Sequence, residues 1–251
     1  MSTLLSPFFR LNRRLSAILG RRLPYRPDEP FAIYDRTVES LVRRHPGATV
    51  VDAGGGRRCS FAHAIGEVSG TRVVAVDISA EDLAANRDVD ETRVADITDS
   101  LPFVDGEVDL LVSRTVLKHL PDVDAFVRES ARVLRAGGTT VHLAPCRYAL
   151  FAVVARLIPF DLAKRILHGL HPETVGVVEF PVYYDRCYPS AIRRTFERHG
   201  FVDVDVRVSW AQADYFDAFF PAYSLAVIYE STVRALGLRD LAAYLVVSAR
   251  R

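Results

Sequence analysis

The chain has 251 residues, of which 49% are hydrophobic and 25% are charged. This composition is that of an ordinary globular protein, and it excludes a disordered, collagen-like or disulfide-scaffold class. The 32 basic residues against 31 acidic ones leave a formal net charge of +1, so no general attraction to nucleic acid is expected. The length fits one large domain with insertions.

Cysteine usage and hydropathy bear on the compartment. Cys59, Cys146 and Cys187 lie far apart and show no metal-ligand spacing, which favours a reduced, cytoplasmic protein. The first residues lack the charged-then-apolar order of a signal peptide. The longest apolar run, residues 148–155, is too short to cross a bilayer. No transmembrane segment is therefore predicted.

Residues 1–46 are interpreted as a basic, helical N-terminal cap. Six arginines and no acidic residue occur in residues 1–26, and apolar side chains interleave with them at helical spacing. One interpretation is contact with an anionic membrane surface. The favoured interpretation is a helix that covers a cofactor or a partner subunit. Residues 31–44 form a second predicted helix.

Residues 47–251 alternate short apolar runs with helical patterns. The predicted strands are residues 48–52, 72–77, 93–96, 108–113, 139–144, 203–208 and 242–248. The predicted helices are residues 59–68, 80–87, 123–134, 190–198 and 225–236. This alternation predicts an α/β fold with a parallel sheet and helices on both faces.

Two aromatic stretches interrupt the alternation. Residues 146–187 are apolar, aromatic and punctuated by prolines, and residues 210–224 are similar. The first stretch follows the carboxyl end of a predicted strand, where open α/β sheets bind ligands. Residues 146–187 are therefore predicted to form an inserted lid.

The strongest local signal is a glycine-rich turn, Asp52-Ala53-Gly54-Gly55-Gly56, between an apolar strand and a predicted helix. Glycines there let the backbone approach a ligand closely, and a helix N-terminus favours negative charge. Asp77 ends the next strand, where dinucleotide-type folds place an acidic residue on a ribose. The alternative for Asp77 is a helix cap, but Ser79 can fill that role.

Five segments resemble the class I S-adenosylmethionine-dependent methyltransferases over residues 48–144. In chain order they are VVDAGGG, AVDIS, ADITDSLPF, EVDLLVSRTVLKHLPD and ARVLRAGG. The resemblance implies a Rossmann-like, seven-stranded, mostly parallel sheet over residues 47–251, with S-adenosylmethionine as the cofactor. A dinucleotide-dependent dehydrogenase is the main competitor, and it would require glycine where this sequence has Cys59.

The resemblance also implies roles around the glycine turn. Gly54 and Gly56 would pack under the methionine part of the cofactor. Asp52 would organise the turn and approach the amino group. Asp77 would accept both ribose hydroxyls, and Ile78 would pack on the adenine.

Further roles implied by the resemblance lie beyond the third and fourth strands. Asp96 would accept from the adenine amino group, with Ile97 beside it. Ser113 and Arg114 would border the methionine and the transferred methyl. Arg58 is a departure, because the family often carries glycine there.

Methyl transfer from a sulfonium requires an aligned nucleophile and, for a hydroxyl acceptor, removal of its proton. Histidine suits proton removal near neutral pH. His119, just beyond the fourth strand, is the candidate general base; the alternative is that it only shapes its loop. His142, in the middle of a predicted strand, is expected in the core.

The candidate acceptor contacts are His171, Tyr183, Tyr184 and Asp185 in the predicted lid, although the two tyrosines could instead pack on the sheet. Aromatic faces with polar groups suit a sugar or a ring-bearing acceptor. The sequence thus predicts an O-methyltransferase of a small-molecule or glycan hydroxyl, leaning toward a sugar or oligosaccharide. The alternatives are a quinone, polyketide or lipid head-group methyltransferase, or a non-catalytic cofactor-binding protein. No metal site is predicted, and a homodimer is left open.

Overall fold

The computed structural model describes residues 2–23, 29–157 and 180–251. Residues 158–179, the middle of the predicted lid, lie outside the described residues, and with them the candidate acceptor contact His171. Within the described ranges, no helix has the length and apolar character needed to cross a membrane.

The described residues form one seven-stranded sheet of order β3-β2-β1-β4-β5-β7-β6. The strands are β1 (Thr49–Ala53), β2 (Arg72–Asp77), β3 (Glu91–Val94), β4 (Val108–Arg114), β5 (Leu134–Pro145), β6 (Val202–Ser209) and β7 (Tyr244–Arg250). The ladders from β3 through β5 are parallel, whereas β7 runs antiparallel to both β5 and β6. The predicted mostly parallel, Rossmann-like α/β fold is confirmed.

Eight α-helices occur in the described parts of the chain. They are α1 (Ser2–Gly20), α2 (Glu29–Arg44), α3 (Ala62–Ile65), α4 (Ala80–Ala85), α5 (Val123–Val133), α6 (Leu150–Leu157), α7 (Pro189–Arg198) and α8 (Phe220–Ala235). A short 3-10 turn, Leu117–His119, follows β4, and another, Ala213–Phe216, follows β6.

The sheet is covered on both faces because successive strand residues point to opposite sides. In β4, Leu110 joins an apolar cluster that contains Tyr34 of α2, and Leu111 joins the cluster that contains Phe126 of α5 and Phe196 of α7. Both clusters are buried. This two-sided burial explains the near-continuous apolar runs of the central strands.

Three predicted segments differ from the structure. The helix expected over residues 59–68 is a single turn, α3, preceded by bonded turns. The helix expected over residues 123–134 ends one residue earlier, and β5 begins directly after it with an irregular register against β4, so that Gly137 and Gly138 lie within this strand. Helix α6 and the first turns of α8 occupy stretches that the sequence pattern left irregular. Both stretches are rich in apolar and aromatic residues, and this composition kept the helical segments from being recognised in the sequence.

Candidate cofactor and catalytic site

The candidate site lies at the carboxyl ends of β1, β2 and β4, which are neighbours in the sheet. Ala53 pairs with Val76 and Asp52 with Val112, so the three strands end close together. The turns that leave these ends meet at one edge of the sheet, the place where open α/β folds bind ligands.

The glycine turn is packed against both neighbouring strands. The amides of Gly54 and Gly55 donate to the Val76 carbonyl at 2.7 and 3.2 Å. Gly54 has a φ of +74°, and a Cβ there would lie 2.2 Å from Cγ2 of Val116. A Cβ on Gly55 would lie 2.9 Å from Cβ of Ala75. These two glycines are therefore required for close packing of the turn itself.

Two side chains that the sequence analysis missed, Asn86 and Asp88, form hydrogen bonds to the backbone of the glycine turn and of the residues that follow it. Buried Asn86, just after α4, donates from Nδ2 to the carbonyls of Gly56 at 3.0 Å and Gly55 at 3.4 Å. Asp88 accepts from the Cys59 amide at 3.1 Å. An Asn-x-Asp sequence after a short helix carries no recognisable motif, so only the structure reveals these roles.

Asp77 is the side chain that links the glycine turn to α4. Its Oδ2 accepts from the Gly56 amide at 3.1 Å, and its Oδ1 accepts from the Ser79 amide at 2.9 Å. A carboxylate offers about four acceptor positions, so both oxygens can still accept hydroxyl donors. Ser79 caps α4 by accepting from Asp82 at 3.2 Å, as predicted.

Ile78, directly beyond Asp77, is 58% exposed. A flat apolar group could pack on it. On the neighbouring turn, exposed Asp96 accepts at Oδ1 from the Thr98 amide at 2.9 Å and hydroxyl at 2.6 Å. Ile97 is buried in the core. Asp96 thus keeps one carboxylate oxygen available, whereas Ile97 supports the turn from inside.

Asp52 and Tyr34 form a buried polar pair of side chains beneath the glycine turn. Burial, followed by the charge of Asp77, raises the pKa of Asp52 to about 7, and Arg114 opposes this shift. Burial and then Asp52 raise the pKa of Tyr34 well above its ordinary value. The Tyr34 hydroxyl has no hydrogen-bond partner among the described residues. The Tyr34 hydroxyl and the Asp52 carboxyl therefore keep hydrogen-bonding capacity for a polar group of a ligand, such as the amino-acid part of a cofactor.

Ser113 turns its side chain into the core. The Thr140 hydroxyl donates to the Leu111 carbonyl at 2.9 Å, so it accepts from Nε2 of His142. The Ser113 hydroxyl therefore donates to Nδ1 of His142, at 2.7 Å. Burial lowers the pKa of His142 to about 3, and the predicted core position of this histidine is confirmed. Only the main chain of Ser113 remains for contact with a cofactor.

Arg114 extends from the end of β4 toward α2. Its guanidinium lies 5.0 Å from the centroid of the Phe31 ring and 3.8 Å from Oδ2 of Asp35. It therefore places a positive charge beside Asp52 and ties α2 to the candidate site.

His119 ends the 3-10 turn after β4, and its Nδ1 lies 2.8 Å from the Pro181 carbonyl oxygen. A carbonyl only accepts, so Nδ1 carries the proton and Nε2 of the neutral ring keeps its lone pair. Burial, followed by the charge of Lys118, lowers the pKa of His119. The arrangement presents a neutral imidazole that can accept a proton.

Three of the predicted acceptor contacts, Tyr183, Tyr184 and Asp185, lie within the described residues. Tyr183 is half-exposed, but Tyr184 is buried in the core with a φ of +54°. Asp185 accepts from the Val123 amide at 3.0 Å and so supports the start of α5. Both tyrosine amides donate to the Lys118 carbonyl, at 2.8 and 3.1 Å. Tyr184 and Asp185 therefore make structural contacts, and their contact with an acceptor stays a prediction.

A different aromatic cluster lies near the carboxyl end of β5. The rings of Phe151 and Tyr215 stack with centroids 4.2 Å apart, and Tyr244 lies 5.8 Å from Phe151. Phe31, under the Arg114 guanidinium, lies 5.5 Å from Tyr244. The sequence analysis noted Tyr215 only as part of an ambiguous stretch, because these rings come from four distant segments.

Residues 51–142 match the family model described as a methyltransferase domain. The chain carries a class I S-adenosylmethionine-dependent methyltransferase domain. The matched residues span β1 to β5 and include the glycine turn, Asp77 and His119. Across the part of the chain that the structure describes, His, Cys, Asp and Glu side chains form no group of three that could hold a metal.

Curated relatives share about a third of the aligned residues. A sarcosine/dimethylglycine N-methyltransferase of Halorhodospira halochloris is 31% identical over 190 residues, which cover 70% of this chain and 61% of that protein. A demethylmenaquinone methyltransferase of Mycobacterium marinum is 35% identical over 47% of this chain and 52% of its own. A ubiquinone biosynthesis O-methyltransferase of Xanthomonas campestris is 34% identical over 45% and 53%. The chain thus spans about half to three-fifths of these relatives.

Solved structures share the fold of this methyltransferase chain. A geranyl diphosphate C-methyltransferase from Streptomyces coelicolor matches with a TM-score of 0.55 and 17% identity, covering 93% of this chain and 87% of that one. An S-adenosylmethionine-dependent methyltransferase from Mesorhizobium loti matches with a TM-score of 0.54 and 20% identity, over 84% and 96%. At these identities the likeness concerns the fold.

Proposed function

We propose that this protein transfers a methyl group from S-adenosylmethionine to a small molecule. The observation that carries the proposal is the site formed by Asp77, Asp52 and Tyr34 at the edge of the methyltransferase domain. The cofactor supplies an electrophilic methyl on a sulfonium. Asp77 keeps acceptor positions for two ribose hydroxyls, exposed Ile78 offers an apolar surface to the adenine, and Asp52 with Tyr34 faces the amino-acid part.

Titration calorimetry with S-adenosylhomocysteine tests cofactor binding. The Asp77→Ala variant loses acceptors for two hydroxyls and is expected to bind at least about tenfold more weakly. Asp99→Ala, which removes an exposed carboxylate on a neighbouring turn, serves as the matched control and should bind as the wild type does. Equal affinities of wild type and Asp77→Ala would contradict the proposed cofactor site.

His119 is proposed as the general base for a hydroxyl acceptor. The Pro181 carbonyl fixes the ring so that Nε2 is basic, and the lowered pKa keeps the ring neutral in mildly acidic solution. His119→Ala should lower kcat by about 10²–10⁴-fold while S-adenosylhomocysteine affinity is preserved. The wild-type kcat should rise with pH through an inflection below the usual histidine value. Near-normal turnover of His119→Ala would remove this role.

We infer that the acceptor is an aromatic hydroxyl of the quinol type rather than a sugar. The aromatic cluster of Phe151, Tyr215 and Tyr244 is connected through Phe31 to Arg114, which ends β4. A flat ring can pack against the outer faces or edges of such side chains by offset or edge contacts. Two of the similar relatives are named for demethylmenaquinone methylation and ubiquinone biosynthesis, which supports this acceptor class over the sugar favoured by the sequence.

Product analysis with a catechol, a hydroquinone and a methyl glucoside tests the acceptor class. We expect methylation of the phenolic compounds only. Tyr215→Ala should raise KM for the phenol while leaving S-adenosylhomocysteine affinity intact, whereas Tyr229→Ala on the outer part of α8 serves as a control for loss of an aromatic ring. Methylation of the glucoside alone would contradict the assignment.

A further inference from the structure

Helix α1 docks on the rest of the protein through small polar side chains. Asn12 and Ser16 are buried. Oδ1 of Asn12 accepts from the Phe220 amide at 2.8 Å, and the Ser16 hydroxyl donates to the Asp217 carbonyl at 3.0 Å. These bonds fix which face of α1 turns inward.

The close approach of α1 to α8 supports the same orientation. A Cβ added to Gly20, the last residue of α1, would lie 2.6 Å from the hydroxyl oxygen of Tyr223. The contact therefore requires glycine at this position. The packing of α1 on the rest of the protein is thus determined by Asn12 and Ser16 in its middle and by Gly20 at its end.

Four large apolar side chains of α1 lie on its outer surface, whereas Leu19 packs against the cluster that contains Tyr223. Phe8, Leu11, Leu15 and Ile18 are between 38% and 58% exposed. They are spaced by three and four residues, so they form one continuous stripe along the helix, here called the apolar stripe. An apolar stripe of this kind normally faces a core. The described residues leave this stripe exposed, so it can take a partner of complementary chemistry.

A row of arginines runs beside the apolar stripe. Arg10 and Arg14 are exposed and share one flank of α1 by their spacing, and exposed Arg21 follows directly after the helix. Residues 1–27 contain no acidic side chain. Arg13, on the inner side, pairs with Asp217 at 3.6 Å. The flank of the stripe that carries Arg10 and Arg14 is therefore positive.

We propose that α1 docks on an anionic membrane surface. Interfacial helices combine an apolar face, which enters the headgroup region, with arginines that contact lipid phosphates. A second copy of this chain is a poorer partner, because two facing α1 helices would bring two arginine rows together. Phe219, half-exposed and 6.5 Å from Phe8 between ring centroids, extends the stripe onto the start of α8.

Vesicle flotation of the full chain tests the proposal. Vesicles of phosphatidylcholine are compared with vesicles that also contain phosphatidylglycerol, at low and high salt. The wild type should float with the anionic vesicles and less so at high salt. The double variants Leu11→Glu/Leu15→Glu and Arg10→Glu/Arg14→Glu should each lower the partition coefficient by about tenfold or more.

Matched double variants control for hydropathy and charge. Val104→Glu/Val202→Glu removes two exposed apolar side chains elsewhere, and Arg128→Glu/Arg194→Glu reverses two exposed arginines on α5 and α7. Both should float as the wild type does. Circular dichroism and thermal unfolding check that each variant is folded, so the result does not depend on turnover or on the proposed cofactor.

Three outcomes would overturn the proposal. The first is a folded wild type that does not float, and the second is flotation that the α1 variants leave unchanged. The third is dimerisation that Leu11→Glu/Leu15→Glu abolishes without any flotation, which would assign the apolar stripe to a second copy of the chain.

Discussion

Substitution of Gly54 by alanine should destabilise the protein through a contact with one identified side chain. The new Cβ would lie 2.2 Å from Cγ2 and 3.0 Å from Cγ1 of Val116. Forcing an added methyl into a packed site costs about 1–3 kcal/mol, and a left-handed alanine costs about 1–2 kcal/mol. Gly54→Ala alone should therefore lower the free energy of unfolding by roughly 2–5 kcal/mol.

The Val116→Ala background separates the two costs of Gly54→Ala. It removes both methyls and leaves Cβ of Val116, 3.2 Å away, as the nearest atom of that residue. Gly54→Ala should then cost only the backbone strain, about 1–2 kcal/mol. Urea unfolding of wild type, both single variants and the double variant measures the coupling, expected at about 1–3 kcal/mol. An equal cost of Gly54→Ala in both backgrounds would refute the packing argument.

Two further predictions concern buried polar groups, and a third concerns the partly exposed Asp185. Burial depresses the pKa of His142 in the native protein to about 3. The free energy of unfolding should therefore be highest above the pKa of an unfolded histidine and fall by up to roughly 4–5 kcal/mol as the pH drops toward 3. The free energy of unfolding of His142→Gln should depend less steeply on pH, and an unchanged slope would count against the argument. Asn86→Ala leaves the Gly56 carbonyl without its hydrogen-bond donor and should lower the free energy of unfolding, measured in urea, by about 1–3 kcal/mol while weakening S-adenosylhomocysteine binding. Unchanged stability and unchanged affinity would contradict the role of Asn86 in supporting the glycine turn. Asp185→Asn weakens the hydrogen bond to the Val123 amide at the start of α5 and should lower the free energy of unfolding by about 1 kcal/mol, with the KM for the acceptor unchanged. A raised KM would indicate that Asp185 contacts the acceptor.

The sequence predicted the elements whose signals are local. Valine-rich β2 and the Ser79 cap of α4 follow from strand alternation and capping chemistry, and both are confirmed. The glycine turn was found as a motif, but its packing against Val116 depends on a residue far along the chain. That requirement cannot be read from the motif itself.

Residues contributed by distant segments escaped sequence analysis. Tyr34 lies on an amphipathic helix, where it looks like any core residue, and only the fold brings it beside Asp52. Tyr184 and Asp185 looked like acceptor contacts because aromatic and acidic residues are common in binding loops. Their roles in the core and at the start of α5 depend on long-range packing, for which the sequence has no periodic signal.

The place of β7 in the sheet has a consequence for the order of folding. β7 lies between β5 and β6 and bonds to both of them, so β6 has no neighbour until residues 244–250 are in place. The half of the sheet from β3 to β5 can assemble from earlier segments alone, whereas the other edge must wait for the strand made last of the three. Until then, β5 exposes an unpaired edge, which is the kind of surface through which incompletely folded chains associate.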